Sequence, residues 1–272
     1  MSDSIAVPIP LHDVRDRQIP LGVVRDTLEI TRRNLIGYLR VPQLLVFSTI
    51  QPVIFVVMFR YVFGGAIKVP GNVEYVDFLM PGIFVQTVVF GSIATAVGLA
   101  TDLKSGLMER FHALPMARSA VLTGRTTADL SRNVFVVILM MVVGFLVGWR
   151  VHTDFFGLLG GGLLVLVFGY AMSWIFAVVG LAVGDPESAQ AAAFPVLAPL
   201  VFASSAFVPV SSMPGWLQAF AKHQPVSATA TAVRALTLGG GSASDIWPAI
   251  FWCAGILVVF APLAVRLYRR KV

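Results

Sequence analysis

Six long apolar stretches, at 43–63, 80–101, 133–150, 156–183, 191–210 and 248–268, dominate this chain of 272 residues. Each approaches the ~20 residues a helix needs to cross a hydrocarbon layer of ~30 Å. A lipid-exposed backbone has to satisfy its own hydrogen bonds, so stretches of this length fold as helices. A barrel would need shorter segments of alternating polarity. With 57% hydrophobic and 12% charged residues, the chain has too little polar surface to cover a water-soluble body of its size. The expected fold class is an all-α polytopic membrane protein with six transmembrane helices.

The basic residues set the expected orientation. Of the 20 Lys and Arg, fifteen lie in alternate gaps: Arg15, Arg17, Arg25, Arg32, Arg33 and Arg40 before span one, Lys104, Arg110, Arg118, Arg125 and Arg132 after span two, and Arg266, Arg269, Arg270 and Lys271 after span six. The opposite gaps hold Lys68, Arg150, Lys222 and Arg234, and Arg60 ends span one. By the positive-inside rule both termini are cytoplasmic, in agreement with an even span count. The sequence pI of about 9.9 therefore reflects anionic lipid headgroups rather than nucleic acid, because no basic run is interleaved with aromatics. The single cysteine, Cys253, excludes an internal disulfide or a cysteine zinc cluster and reads as packing. Residues 1–22 are polar and Pro-broken, and are expected to be a cytoplasmic N-terminus without a cleavable signal. A single transmembrane domain is expected over 23–272.

Residues 23–40 place Val24, Leu28, Thr31, Leu35 and Leu39 at helical spacing, with Arg25, Glu29, Arg32, Arg33 and Arg40 around them. That pattern predicts an amphipathic helix on the cytoplasmic interface, either an anchor for span one or a helix that also meets a partner, broken from the span by Pro42. In the cytoplasmic loop 103–118, Leu103 to Leu114 predicts a short helix stopped by Pro115, offering Lys104, Glu109, Arg110 and His112 to a soluble partner. Beyond it Arg125, Asp129 and Arg132 fall at i, i+4 and i+7, an ion ladder read as neutralised charge snorkelling where span three enters the membrane.

After span four, Asp185 or Ser188 caps the next helix, with Pro186 in its first turn and Glu187 beside its positive end. Capping alone accounts for these residues, and the loop is also open to a second partner contact. Pro195 and Pro199 predict that span five is kinked and buried, a candidate pathway wall. In the external segment 211–240, Trp216, Leu217, Phe220 and residues 226–238 are too apolar for a free loop and too short to span. They predict a re-entrant hairpin that returns at Pro225, with Gln224 and a buried, carbonyl-satisfied His223 at its turn.

No G-x-x-x-x-G-K-[ST], G-x-S-x-G or H-E-x-x-H occurs, and the 4 His (positions 12, 112, 152 and 223) are scattered over both sides. The reading assigns no catalytic and no metal-binding residues. The 14 Asp and Glu lie in gaps or near span ends, whereas ion-coupled transport favours carboxylates in mid-span. The energy source is therefore expected outside the chain. Gly144-x-x-x-Gly148, Gly157-x-x-x-Gly161 and Gly180-x-x-x-Gly184 are helix-packing signals.

Two blocks carry a family resemblance. They are Glu109-Arg110-Phe111-His112-Ala113-Leu114-Pro115-Met116-Ala117-Arg118 with Gly124-Arg125-x-x-Ala128-Asp129, and Pro209-Val210-x-x-Met213-Pro214-Gly215-Trp216-Leu217 followed by His223-Gln224-Pro225-Val226-Ser227 and Ala232-Val233-Arg234-Ala235-Leu236. They resemble the type-2 ABC exporter permeases, and within these the daunorubicin-resistance branch, over nearly the whole chain.

The resemblance implies a six-span permease that is not itself an enzyme. It would pair with a second permease, the same or paralogous, and with two separate ABC-type ATPase subunits. ATP and Mg would be bound by those subunits and no cofactor by this chain. Lys104–Leu114 would be the coupling helix and Asp185–Gln190 a lesser contact, making Lys104, Glu109, Arg110, His112, Asp185 and Glu187 the coupling candidates. Residues 23–40 would be the connecting helix and 213–238 the external re-entrant helices. Substrate would cross between the two permeases along spans one, two and five, where Phe55, Phe59, Phe84, Gln86, Phe202 and Ser205 are the pathway candidates. The implied activity is export of an amphipathic drug or lipid across the cytoplasmic membrane, with membrane lipid as surroundings and no nucleic-acid partner. An ion-coupled secondary transporter and a non-transporting assembly scaffold are the alternatives.

Overall fold

The computed structural model describes residues 27–32, 34, 36, 42–67, 69, 73–107 and 118–271, and every regular element among them is helical. Helix α1, Pro42–Val57, begins on a proline, whose missing N–H falls where a helix has no acceptor for it. It runs directly into a π turn, Met58–Phe63. Helices α2, Tyr75–Gly91, and α3, Ile93–Lys104, form one apolar line interrupted at Ser92. There the Ser92 hydroxyl donates back to the Val88 carbonyl at 2.9 Å, a pattern that bends helices.

Further elements among the described residues are α4, Arg118–Val147, α5, Phe155–Val183, α6, Pro186–Phe202, α7, Gly215–His223, α8, Pro225–Leu238, and α9, Ala243–Lys271, with a 3-10 turn at Val210–Ser212. Tyr75–Lys104, Val121–Val147, Phe155–Val183 and Ala243–Lys271 are long and apolar enough to cross a membrane, whereas α6 has 17 residues and Thr49–Phe63 is a shorter apolar helix. The architecture is that of an all-α polytopic membrane protein.

Helix α5 is the hub, packing against α2, α3, α4, α6, α8 and α9. It is apolar on every face, which suits a helix that meets other helices on some sides and lipid on the rest. Its approach to α3 requires a residue without a side chain at Gly180, because a Cβ there would overlap the Ala96 backbone. The larger core gathers Leu79, Ile83, Phe84, Val137, Met140 and Phe168, and a smaller one at the Lys104 end gathers Leu99, Leu122, Trp174 and Tyr268. Outward-facing Leu146, Phe156, Leu163, Phe251 and Val258 suit lipid rather than water.

Several expectations need correction. Residues 27–32, 34 and 36 are helical; of the expected apolar line Thr31 is buried while Leu28 is 61% exposed, and Val24, Leu35 and Leu39 lie outside the described residues. The Thr31 hydroxyl donates to the Gly124 carbonyl at 3.1 Å, so this segment meets α4 through Ile30 and Thr31. Leu103 and Lys104 belong to α3, which ends before Gly106 at φ +67°; Leu107 is helical again, and the rest of the expected Leu103–Leu114 helix lies outside the described residues. Span five ends at Phe202 instead of 210, and only its Ala189–Ala193–Leu197–Val201 stripe is buried. Phe194 and Phe202, 54% and 50% exposed, give α6 an open face where full burial was expected. His223 is exposed rather than buried, with Nδ1 2.9 Å from the Ala219 carbonyl.

Candidate functional site

Beyond Phe202 the chain leaves helical geometry, and its freed polar groups are taken up by α8 and α2. The Ser227 hydroxyl accepts from the Ser205 N–H at 2.9 Å, and the Gln224 amide donates to the Leu200 and Ala203 carbonyls at 2.9 and 3.2 Å. Arg234 makes the main fastening. Its guanidinium donates to the Ser205 and Ala206 carbonyls at 2.6 and 3.2 Å, to the Ser205 hydroxyl at 3.2 Å and to the Phe78 carbonyl at 2.8 Å. It also lies 3.6 Å from the centroid of the Phe78 ring, a cation–π contact. The Tyr75 hydroxyl donates to the Phe207 carbonyl at 3.0 Å. Gly82 completes the seat, since a Cβ there would overlap the Ala206 carbonyl.

This scaffold holds the Phe207 ring at the centre of an aromatic set. Phe207 stacks on Phe59 with ring centroids 4.5 Å apart and planes 5° apart, and on Phe55 and Phe202 at 5.7 and 6.1 Å. Phe63 extends the row, 5.4 Å from Phe59. Phe55, Phe59 and Phe63 follow one another at four-residue steps, which places them as neighbours along one side of this segment.

Three pathway candidates, Phe55, Phe59 and Phe202, are thus brought together around Phe207, which sequence reasoning passed over. The available signal was an aromatic residue between the Ser204–Ser205 helix end and Pro209. The other candidates lie elsewhere. Ser205 is buried beneath the set, occupied by Arg234. Phe84 is buried edge-on against Trp149 at 5.2 Å. Gln86 is 1% exposed on α2, and its Oε1 has no hydrogen-bond partner among the described residues.

At the opposite end of α6, the Lys104 ammonium lies 2.7 Å from Asp185 Oδ1. Asp185 Oδ2 accepts from the Ser188 N–H and hydroxyl, both at 3.1 Å, so the predicted cap is present. The Lys104 hydrogen bond, helped by those from Ser188, holds the Asp185 carboxyl down at about 2. Glu187 is exposed in the first turn of α6. Glu109, Arg110 and His112 lie outside the described residues.

The Arg125–Asp129–Arg132 series is not a snorkelling ladder. Asp129 and Arg132 are 1% and 8% exposed. Arg125 reaches Asp129 and Asp102 at 3.9 Å each and donates to the Ala94 carbonyl at 3.1 Å. The Thr95 hydroxyl donates to Asp129, and Arg132 donates to the Gly91 carbonyl at 2.6 Å. These bonds fasten α3 to α4 across the Ser92 break, so one carboxylate sits well inside a helix instead of in a gap. A second buried carboxylate, Asp77, accepts from the Arg150 N–H at 2.8 Å and lies 3.8 Å from His152 Nε2. Asp77 and His152 border a cavity of about 420 Å³ at the Trp149 end of the bundle.

Comparison with known proteins places these features in context. Residues 25–238 match the family model described as ABC-2 type transporter. The chain is 38% identical over 256 residues to the daunorubicin resistance ABC transporter permease protein of Streptomyces coeruleorubidus, covering 94% of this chain and 90% of that protein. It is 29% identical over 248 residues to a probable doxorubicin resistance ABC transporter permease protein of Mycobacterium tuberculosis, covering 91% and 89%. A putative transport permease of Cyanophora paradoxa is 24% identical over 216 residues, covering 78% and 74%.

Proposed function

This chain belongs to the ABC-2 type transporter family and is a membrane-spanning permease subunit of an ABC transporter, and on that premise we propose that it exports a small amphipathic drug. The observation that carries the proposal is the near-complete, collinear match to a daunorubicin resistance permease. The aromatic set around Phe207 supports the choice of cargo, because stacked phenyl rings offer a face to a flat apolar molecule.

In this reading the chain crosses the cytoplasmic membrane six times, with α1 and α6 as the two shorter spans, and both termini lie in the cytoplasm. It pairs with a second permease and with two ATPase subunits that bind ATP and Mg, while this chain performs no hydrolysis. The Lys104–Leu114 segment and the Asp185–Gln190 turn dock on the ATPase, and Lys104, Glu109, Arg110, His112, Asp185 and Glu187 contribute to that contact. Phe55, Phe59 and Phe202, with Phe207, wall the route at the permease–permease boundary, and Gln86 supplies a polar contact along α2. ATP-driven movement of the partner shifts rigid helices against one another, a shear or rocking transition.

Affinity purification of the full-length chain from its native membranes, followed by mass spectrometry, tests the assembly. Recovery of a Walker-motif ATPase in stoichiometric amount is the expected result. Recovery of the chain without any such subunit would contradict it.

A further inference from the structure

The proposed docking segments are far apart in sequence, yet they meet at a single carboxylate. Lys104 is the last residue of α3. Asp185, 81 residues later, caps the N-terminus of α6. The carboxylate divides its oxygens: Oδ1 takes the Lys104 ammonium, and Oδ2 takes the Ser188 N–H and hydroxyl of the α6 first turn. A displacement of the end of α3 is therefore delivered to α6 through two short polar contacts in series.

The far end of α6 gives that link its consequence. Helix α6 has 17 residues, so at 1.5 Å each it is roughly 25 Å long. It ends at Phe202, from which the unwound segment leads to Phe207 and the aromatic set. Helix α3 is itself seated tightly on α5 at the Ala96–Gly180 crossing, which limits other ways for its end to move.

We propose that Lys104 and Asp185 are positioning residues for transport: their ion pair ties the end of α3 to the first turn of α6 and transmits movement of that end to α6. The assignment rests on the exporter reading above. The side chains are 66% and 38% exposed, and pairs in such surroundings add little to stability, so the value of this pair lies in its placement.

The test is a double-mutant cycle in proteoliposomes holding the full chain with its ATPase, reading drug transported per ATP hydrolysed for wild type, Lys104→Met, Asp185→Asn and the double variant. Asn caps a helix as well as Asp does, so Asp185→Asn removes the charge and keeps the α6 terminus. Each single change should lower the ratio about two- to fivefold, the effect of an exposed ion pair. The double variant should lose no more than either single, Lys104→Arg should retain the wild-type ratio, and all thermal midpoints should match wild type. Losses that multiply in the double variant, unchanged ratios in both singles, or losses that track a lowered thermal midpoint would each overturn the pair's role. Wild-type vesicles without ATP-dependent transport would instead overturn the exporter reading, and this inference with it.

Discussion

Arg234 holds Ser205 by two contacts at once, donating to its carbonyl at 2.6 Å and to its hydroxyl at 3.2 Å, 29 positions away along the chain. The relationship explains how a helix can end inside an apolar body. The carbonyls released where α6 unwinds need donors, and a guanidinium supplies several in one plane.

Replacing Arg234 by Met should leave the Ser205, Ala206 and Phe78 carbonyls without that donor and cost about 2–5 kcal/mol, the range for breaking buried bonds to a charged group. A fall in the thermal midpoint of the purified protein is the readout. Arg234→Lys should recover less than half of the loss, because an ammonium cannot reproduce the planar fork. Full recovery by Lys would show that charge alone suffices.

Much of the scaffold was legible from hydropathy. The stretch 156–183 matches α5, Phe155–Val183, to within one residue, and the short apolar segments after Pro209 are the predicted pair α7 and α8. Apolarity marks what leaves water, and in a membrane chain that is nearly every span. It does not mark which face meets protein. Hence Phe84 and Phe59 looked equivalent, although one is sealed against Trp149 and the other stacks in the aromatic set. The end of α6 at Phe202, the gathering of Phe59 onto Phe207 and the burial of Asp129 depend on partners distant in sequence, such as Arg234, Phe207 and Thr95.

Helix α7 exposes Trp216 and Phe220, at 77% and 45%, on a segment of only nine residues. Leaving two such side chains in water forfeits roughly 1.5–3 kcal/mol each, so they should be immersed in the outer leaflet. Spin labels at both positions in reconstituted bilayers should collide with oxygen more readily than with a polar relaxation agent. Preferential collision with the polar agent would place α7 in water.

The Lys104–Asp185 contact has a defined pH window. The Asp185 carboxyl titrates at about 2, below its ordinary value of 3.8, so the stabilisation it provides is present above pH 3.8 and is lost as pH falls through about 2. The thermal midpoint of Asp185→Asn should therefore stay level with that of wild type from about pH 5 to 8. A difference that opens within that interval would mean that another group governs the contact.

The central claim, ATP-driven outward movement of an amphipathic drug, is tested most directly in inverted membrane vesicles that contain the chain with its ATPase. Adding ATP should drive accumulation of a fluorescent anthracycline inside the vesicles. The accumulation should be absent with a non-hydrolysable ATP analogue and insensitive to collapse of the proton gradient. Accumulation driven by a proton gradient without ATP, or no ATP-dependent accumulation at all, would contradict the claim.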